Sequence, residues 1–277
     1  FPSIIPDMTF EEALEVTKIH SVAGKLDHNT GIICNRPFRA PHHTTTSVAL
    51  TGGGAKAKPG EISLAPNGVL FLDELPEYPR QAVEVLRQPL EDGKITVARL
   101  VQSVEYPASF TLIASMNPCP CGYYGSKTHE CKCSAHQIHS YLSKLSGPMM
   151  DRIDLHVEVD SVEYKDLRSN ELEESSASIK ERVNKARQIQ TQRFKGTNVH
   201  NNAEMNSALV KKFCKIDEEC DNLMKTAFDV FNLTARAHDR ILKVARTIAD
   251  LDGSENIQQE HIIEAINYRS LDKKFWI

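Results

Sequence analysis

Apolar residues in the first 160 positions fall into short runs, which are separated by loops rich in glycine, proline and threonine. Residues 69–72 and 110–116 form two runs without polar alternation, which is typical of strands covered on both faces in a parallel sheet. In residues 153–159 apolar and polar residues alternate, as in a strand with one solvent-facing side. We therefore predict three strands in this half of the chain.

The stretch between the first two runs predicts a helix and a hairpin. Pro79 suits the first turn of a helix, and Val83, Leu86 and Leu90 follow it at helical spacing. After Gly93, residues 95–106 are rich in β-forming side chains and predict a β-hairpin. The order is thus strand, helix, hairpin and strand, which indicates an α/β fold.

From about residue 176 onward the apolar residues keep helical spacing. Ser178 followed by Glu181 predicts a capping box for a helix that runs to about Arg193. Apolar positions predict further helices, and Gly253 would stop one of them; these segments are residues 209–231, 241–251 and 262–266. We expect an α/β domain over residues 1–160, a linker over 161–176 and an all-α domain over 177–277.

The amino-acid composition limits the classes of protein to which this chain can belong. Of the 277 residues, 40% are hydrophobic and 25% are charged, which suits a globular protein with a real core. The chain lacks a long apolar span and a signal-peptide pattern at its start, so we expect it to be cytoplasmic with no membrane partner. Its net charge of −4 implies that any contact with nucleic acid comes from a local basic element.

Two carboxylates follow the first predicted strand. Asp73 and Glu74 come directly after residues 69–72, at the strand end where open α/β sheets bind ligands. An acidic pair there suits phosphate chemistry, with Asp73 as a Mg²⁺ ligand and Glu74 as the group that orients and deprotonates a water. The alternative is that both side chains simply solvate a loop.

The seven cysteines are unevenly placed, and four of them fall within residues 119–133. Cys119, Cys121, Cys131 and Cys133 form two Cys-x-Cys pairs, and four thiols so close suit tetrahedral Zn²⁺ in a structural role. Such a site has no open position for catalysis. The alternatives are four reduced thiols in a surface loop, or a site in which His129 or His136 replaces a cysteine.

Two segments next to these strands resemble motifs of AAA+ ATPases. Residues 68–75 read GVLFLDEL and resemble the Walker B segment. Residues 114–117 read ASMN and resemble sensor 1, which implies that Asn117 contacts the γ-phosphate or the attacking water.

Two later segments extend the resemblance. Residues 147–154 read GPMMDRID and are similar to the segment that carries the arginine finger, which implies that Arg152 reaches the nucleotide of a neighbouring subunit. Residues 233–240 read LTARAHDR and resemble the sensor 2 helix, which implies that Arg236 contacts phosphate. Such cations would stabilise the charge that develops during phosphoryl transfer.

With RPFRAPHH at residues 36–43 and GGG at residues 52–54, the chain resembles the magnesium-chelatase-like, or ComM-type, AAA+ ATPases over nearly its whole length. The resemblance implies a partial AAA+ core with an inserted hairpin, followed by an all-α lid. It also implies ATP and Mg²⁺ as cofactors, a hexameric-type ring of identical subunits, and work on DNA. Lys94 and Arg99 on the hairpin are then candidates for DNA binding, although an exposed charged hairpin without that role fits equally well.

One motif of this family is missing from the sequence. No segment reads Gly-x-x-x-x-Gly-Lys-Ser/Thr, the P-loop (Walker A) whose backbone N–H groups and lysine hold the phosphates. The glycine run at residues 52–54 has no apolar strand before it and does not replace that loop. We expect the P-loop to lie just upstream of Phe1, and the chain alone to bind ATP poorly and hydrolyse none.

Three functions stay open at this point. The first is part of a ring-forming ATPase that remodels DNA or translocates along it. The second is the ATPase subunit of a porphyrin magnesium chelatase, and the third is a zinc-bearing assembly module without enzymatic activity.

Overall fold

The computed structural model describes residues 1–27, 31–54, 56–98, 103–126, 128–159, 174–231 and 233–269. These residues belong to two compact units: Asp7–Arg152 forms one, and the chain from Ile153 onward, together with Ser3–Pro6, forms the other. In the part of the chain described, no helix combines the length and the apolar character needed to cross a membrane.

The N-terminal unit contains helices and strands in alternation. In chain order they are α1 (Phe10–Val22), β1 (Phe38–Arg39), α2 (Ser47–Thr51), β2 (Gly52–Gly53), β3 (Lys58–Pro59), β4 (Val69–Leu72), α3 (Arg80–Glu84), α4 (Arg87–Asp92), β5 (Lys94–Ala98), β6 (Ser103–Pro107), β7 (Thr111–Ala114), α5 (Ala135–Leu142) and α6 (Gly147–Met150).

A three-stranded parallel sheet with the order β1-β4-β7 organises this unit. Strand β4 is central, and Val69, Leu70 and Leu72 are fully buried, which confirms the prediction of a strand covered on both faces. Gly68 allows the close approach to β1, because a Cβ atom there would lie 2.1 Å from the carbonyl oxygen of Pro37.

Strand β7 confirms the second predicted strand but not its predicted burial. Its four residues, although apolar apart from Thr111, are exposed or half-buried. Within the described residues β7 pairs only with β4, and therefore lies at the edge of the sheet. The predicted helix after β4 is also present, as the two short helices α3 and α4.

The predicted hairpin is confirmed as strands β5 and β6, which pair antiparallel from Lys94 opposite Pro107 to Ala98 opposite Ser103. Its inner face is anchored to the unit, because the buried Tyr106 hydroxyl donates a hydrogen bond of 2.8 Å to the carbonyl oxygen of Ala57.

The prediction of a third strand, over residues 153–159, is wrong. Residues 153–159 form no strand, and Val157 and Val159 are 64% and 84% exposed. The backbone N–H of His156 donates to the carbonyl oxygen of Tyr268, which lies just beyond the last helix. The alternation of side chains is present, but no strand among the described residues pairs with this segment.

Helix α1 has no counterpart in the sequence predictions. A local signal for it exists, because Thr9 and Glu12 form a capping box in which the Thr9 side chain accepts from the Glu12 backbone and the Glu12 side chain accepts from the Thr9 backbone. Its apolar face buries Ala13, Val16 and Ile19.

The described part of the C-terminal unit is helical, as predicted. It contains α7 (Ser176–Arg193), α8 (Ser207–Phe213), α9 (Glu218–Phe231), α10 (Ala235–Asp252) and α11 (Gln259–Asn267). The helix predicted to end at Arg193 does so, but its cap is Ser175 and not Ser178. Gly253 ends α10 in a left-handed conformation, as predicted. The predicted linker over residues 161–176 lies mostly outside the described residues.

A buried carboxylate joins the helices of this unit. The Asp250 side chain is fully buried, and it accepts hydrogen bonds from Arg193 on α7, from Asn202 and from Arg246 one turn earlier on α10. Arg246 also donates to the carbonyl oxygens of Ser254 and Glu255. The charges are thereby paired inside the core, which is the condition for burying them.

We predict that Asp250→Ala destabilises the C-terminal unit by about 3 kcal/mol, because it leaves two guanidinium groups buried without their carboxylate. The matched control is Asp221→Ala, which removes an exposed pair with Lys225 on α9 and should cost less than about 1 kcal/mol. Urea unfolding followed by far-ultraviolet circular dichroism measures both. Equal losses in the two variants would contradict the assignment.

Candidate functional site

The ends of strands β4 and β7 bring Asp73, Glu74 and Ser115 together. The Ser115 hydroxyl donates a short hydrogen bond to Asp73 Oδ1, and its oxygen accepts from the Glu74 backbone N–H at 3.2 Å. The backbone N–H of Leu75 donates to the Ser115 carbonyl oxygen at 2.9 Å. Both carboxylates are exposed to solvent. The two strand ends are thus tied together, and the acidic pair is open to a ligand.

Glu74 has an unusual backbone conformation. Its φ of 54° and ψ of 49° lie in the left-handed region, which disfavours residues with a Cβ atom. Its carboxylate Oε2 is 3.4 Å from Nδ1 of His43, whose ring lies edge-on to Tyr78. Burial raises the pKa of Tyr78, and its hydroxyl donates to the carbonyl oxygen of Pro41. Glu74 therefore has a strained backbone, and it is the residue that the sequence predicts as the catalytic base.

Asn117 lies two residues beyond Ser115 and is exposed. Its backbone interacts with the hydroxyl of Tyr141, a buried residue in the last turn of α5. Burial raises the pKa of Tyr141 to about 12, and the negative charge of Glu77 adds to that effect. The predicted sensor residue thus follows β7, which ends at the same edge of the sheet as β4, the strand that leads to Asp73 and Glu74.

Arg152 is largely buried in the N-terminal unit, where it forms an ion pair with Glu91 of α4. It also donates to the carbonyl oxygen of Pro148. The predicted role as an arginine finger stays a prediction. Both of these contacts, with Glu91 and Pro148, lie within its own unit.

Arg236 belongs to the C-terminal unit, in the first turn of α10, and is exposed. The start of this helix is fixed by Thr234, whose side chain accepts from the Ala237 backbone N–H. Its role as a phosphate contact also stays a prediction.

Of the two cationic residues predicted on the hairpin, Lys94 and Arg99, the structure describes only Lys94. Lys94 is exposed and pairs with Glu105 across the hairpin at 2.8 Å. The hydrogen bond that Lys94 donates to that carboxylate raises the pKa of Lys94. Arg99 lies outside the described residues. The charge of Lys94 is therefore partly balanced by its cross-strand neighbour, which weakens the case for a phosphate contact by Lys94 alone.

The glycine run at residues 52–54 contributes to the pairing of two short strands. In the antiparallel strands β2 and β3, Gly52 pairs with Pro59 and Gly53 pairs with Lys58. A Cβ atom at Gly52 would lie 2.3 Å from the carbonyl oxygen of Lys58, so the strand pairing itself requires glycine.

Four cysteine sulfurs meet in the loop after β7. The Sγ atoms of Cys119, Cys121, Cys131 and Cys133 lie within 4.8 Å of one another. Three of the separations are 3.4, 3.7 and 3.6 Å. Sulfurs bound to one zinc ion in a tetrahedron are about 3.8 Å apart, because a Zn–S bond is about 2.3 Å long. The four-cysteine group therefore has the chemistry and the dimensions to hold one metal ion.

The loop geometry explains how these sulfurs converge. The backbone N–H of Gly122 donates to the Cys119 carbonyl oxygen at 3.0 Å, which turns the first Cys-x-Cys pair back on itself. The pKa of Cys121 is lowered to about 6, chiefly by a hydrogen bond from the backbone of Tyr123. His129 stacks on Tyr123 with 4.9 Å between ring centroids. Neither His129 nor His136 belongs to the group of four described ligands.

Comparison with known protein families shows which family the chain belongs to. The family described as "Magnesium chelatase, subunit ChlI" matches residues 1–167, and the family described as "Magnesium chelatase, subunit ChlI C-terminal" matches residues 173–269. The chain belongs to the magnesium-chelatase-like family of AAA+ ATPases. A partial AAA+ core followed by a helical region fits this membership.

Individual members differ in how closely they resemble this magnesium-chelatase-like chain. Competence protein ComM of Haemophilus influenzae is 44% identical over 97% of the chain and 52% of its own length. The uncharacterized protein YifB of Escherichia coli is 42% identical over 98% of the chain and 52% of its own length. The magnesium-chelatase subunit ChlI of Mesostigma viride is 30% identical over 47% of the chain and 30% of its own length. The chain spans about half the length of its first two relatives.

The sequence analysis did not predict two residues that contact the acidic pair, Ser115 and His43. Ser115 lies inside the ASMN segment, and His43 ends the RPFRAPHH segment, so both stand in motifs that the sequence does show. Their contacts with Asp73 and Glu74 join positions 42 and 31 residues apart. A hydroxyl residue directly after the second strand is the one local signal for Ser115, because parallel strand ends meet at one edge.

We predict that Glu74→Gly stabilises the N-terminal unit by about 0.5–1 kcal/mol, because glycine adopts the left-handed conformation without the strain of a Cβ atom. Glu74→Ala is the matched control, since it removes the same carboxylate and the same contact with His43 but keeps a Cβ atom. Thermal unfolding of both variants gives the comparison. If Glu74→Gly is no more stable than Glu74→Ala, the backbone at this position is not strained.

Proposed function

We propose that the chain is the catalytic and lid portion of a ring-forming AAA+ ATPase that uses ATP and Mg²⁺. The observation that carries the proposal is the Ser115 bridge, which fixes the Asp73 carboxylate and the backbone of Glu74 at the open end of a parallel sheet. Oxygen ligands suit Mg²⁺, which would neutralise charge on the phosphates when it is bound.

Each side chain has a distinct role in this proposal. Asp73 holds the metal, with its orientation set by the hydrogen bond from Ser115. Glu74 orients the attacking water and removes its proton, since its carboxylate is exposed and can accept that proton, with His43 Nδ1 3.4 Å from Oε2. Asn117 contacts the γ-phosphate or the water, from the neighbouring strand end.

Two arginines supply positive charge. Arg152 acts on the nucleotide of a neighbouring subunit, which implies that a hexameric-type ring completes the site. For this it must leave its ion pair with Glu91. Arg236 contacts phosphate from the lid.

We also propose that the 277 residues alone do not turn over ATP. Their sequence has no P-loop, and the glycine run at residues 52–54 is used in strand pairing. Without backbone N–H groups and a lysine on the phosphates, the remaining groups have no captured substrate to act on.

Work on DNA is the proposed purpose of hydrolysis. The 44% identity with a protein named Competence protein ComM favours this over a porphyrin chelatase, because the chelatase subunit of Mesostigma viride is similar over a much shorter part of the chain. The hairpin of β5 and β6, with Lys94 and Arg99, is the proposed DNA contact. The description of the family model, magnesium chelatase subunit ChlI, supports the second candidate, insertion of Mg²⁺ into a porphyrin.

The four cysteines hold a structural Zn²⁺ in this proposal. Sulfur ligands suit zinc, and all four positions of a tetrahedron are filled by the chain, so the ion has no open position for catalysis. Zinc bound in this way contributes about 10–16 kcal/mol to the folding of small peptides.

We predict that ATP hydrolysis requires a P-loop together with Glu74. The 277-residue chain should show no measurable turnover, and a form extended at its N-terminal end to carry a P-loop should hydrolyse ATP with Mg²⁺. In that form Glu74→Gln should lower kcat by about 100-fold, because the water loses its base. Glu77→Gln, in the adjacent exposed turn, is the control and should change kcat little.

Robust turnover by the 277-residue chain would overturn the proposal, and so would an unchanged kcat in Glu74→Gln. The same assay separates the two proposed purposes. Stimulation of the extended form by DNA supports DNA work, whereas stimulation by the partner subunits of a porphyrin chelatase supports the second candidate.

We predict one zinc per chain by elemental analysis of the purified protein. Cys131→Ser should reduce the zinc content to well below one, because it removes one of four ligands, whereas Cys34→Ser should leave it unchanged, because Cys34 is exposed and outside the cluster. Absence of zinc, with all four clustered thiols freely reactive, would show that the cysteines are simply reduced thiols.

A further inference from the structure

We infer that the metal held by the cysteine cluster fixes the position of Asn117, so that metal occupancy regulates the hydrolysis site. This inference rests on the proposed function, because it assigns a regulatory role to a part of that site. It concerns the four cysteines and Tyr141 as positioning residues, which act through Asn117 and not on the nucleotide.

The first connection runs along the chain. Only Pro118 separates Asn117 from Cys119, whose side chain is completely buried. Proline has a fixed φ and also restricts the residue before it to extended conformations. Few backbone torsions therefore lie between a metal ligand and the predicted sensor residue, and fixing Cys119 also restricts Asn117.

The second connection is proximity in space. Gly122 directly follows the ligand Cys121, and its φ of 82° together with its hydrogen bond to Cys119 places its backbone next to Asn117. A Cβ atom at Gly122 would lie 3.9 Å from Oδ1 of Asn117. The turn within the first Cys-x-Cys pair therefore lies close to the side-chain amide of Asn117.

The third connection comes from the other end of the loop. Cys133 is followed at once by Ser134, which caps α5 in a reciprocal pair of hydrogen bonds with Gln137. Seven residues later α5 carries the buried Tyr141, whose phenol is near enough to the backbone of Asn117 for a hydrogen bond from that backbone to lower its pKa. The second Cys-x-Cys pair thus sets the start of the helix whose last turn contacts the sensor residue.

The loop itself offers little else to hold this arrangement. Between the two cysteine pairs, the described side chains are largely exposed, and they include Tyr123 and Tyr124 at 45% and 40%. Thiols bond one another only weakly, and thiolates at these separations repel. A bound cation removes that repulsion and links both ends of the loop at once. Loss of the metal should therefore release Asn117 from both sides.

Hydrogen exchange measured by mass spectrometry tests this in the 277-residue chain, with zinc bound and after removal of zinc by a chelator. We expect amide exchange to rise by about tenfold or more in residues 115–117 and in α5 when zinc is removed. Exchange in α10, in the other compact unit, is the internal reference and should not change. A rise confined to residues 119–133 would overturn the inference.

A second variant covers the case in which removal of zinc unfolds the whole N-terminal unit, which exchange in β4 would reveal. Tyr141→Phe keeps all four ligands and the helix but removes the hydroxyl that meets Asn117. It should retain one zinc per chain and still raise exchange at residues 115–117 by severalfold. Tyr124→Phe, in the exposed part of the loop, is the control. Unchanged exchange in Tyr141→Phe would then decide against the inference.

The effect on turnover distinguishes this inference from the proposed function. In the P-loop-containing form, Tyr141→Phe should lower kcat by about tenfold with little change in the KM for ATP, because Asn117 acts on the reacting phosphate or the water and not on capture of the nucleotide. A zinc-loaded form that hydrolyses no ATP would refute the proposed function, while the exchange result would still test the link between zinc and Asn117. Normal kcat without zinc would refute the link alone.

Discussion

The parallel pairing of β4 with β7 is the interaction on which the candidate site depends. Its register places Leu72 opposite Ala114, so the residues that follow, Asp73 and Ser115, emerge side by side. A slip of one residue would turn every side chain of β7 to the opposite face and remove the Ser115 hydroxyl from Asp73. The cysteine loop follows β7 in the chain, and Cys119 lies five residues beyond the last residue of that strand. The ladder between two four-residue strands therefore fixes the acidic pair and the point from which the chain enters the four-cysteine group.

Much of the fold follows from local patterns, because burial and periodicity leave their mark on short segments. The central strand, the hairpin and the glycine that ends α10 are all present as predicted. Residues 153–159 show where a prediction from local pattern alone is wrong, because they form no strand. Alternation describes the two faces that a strand would have, but a strand also needs a backbone partner, and the pattern contains no information about one. Helix α1 was missed although Thr9 and Glu12 carry its capping signal.

The site was predictable in its residue types and not in its contacts. Asp73, Glu74 and the four cysteines stand in compact motifs, and the structure brings the four sulfurs together. The roles of Ser115 and His43 depend on residues more than 30 positions away, and single-sequence patterns do not report such pairs. The left-handed backbone of Glu74 is likewise invisible in sequence, because glutamate is not a residue that this conformation favours. Arg152 carries a motif, but its ion pair with Glu91 spans 61 residues.

The half-exposed strand β7 has a consequence for the behaviour of the chain in solution. Within the described residues one side of its backbone is unpaired, and the strand is short, largely apolar and without charge. Proteins commonly protect such edges with lysine, proline, a bulge or a covering segment, because an unprotected edge is a template for another strand. This edge is therefore a place at which two copies of the isolated 277 residues can pair, and the strand's length of four residues keeps the area of such pairing small.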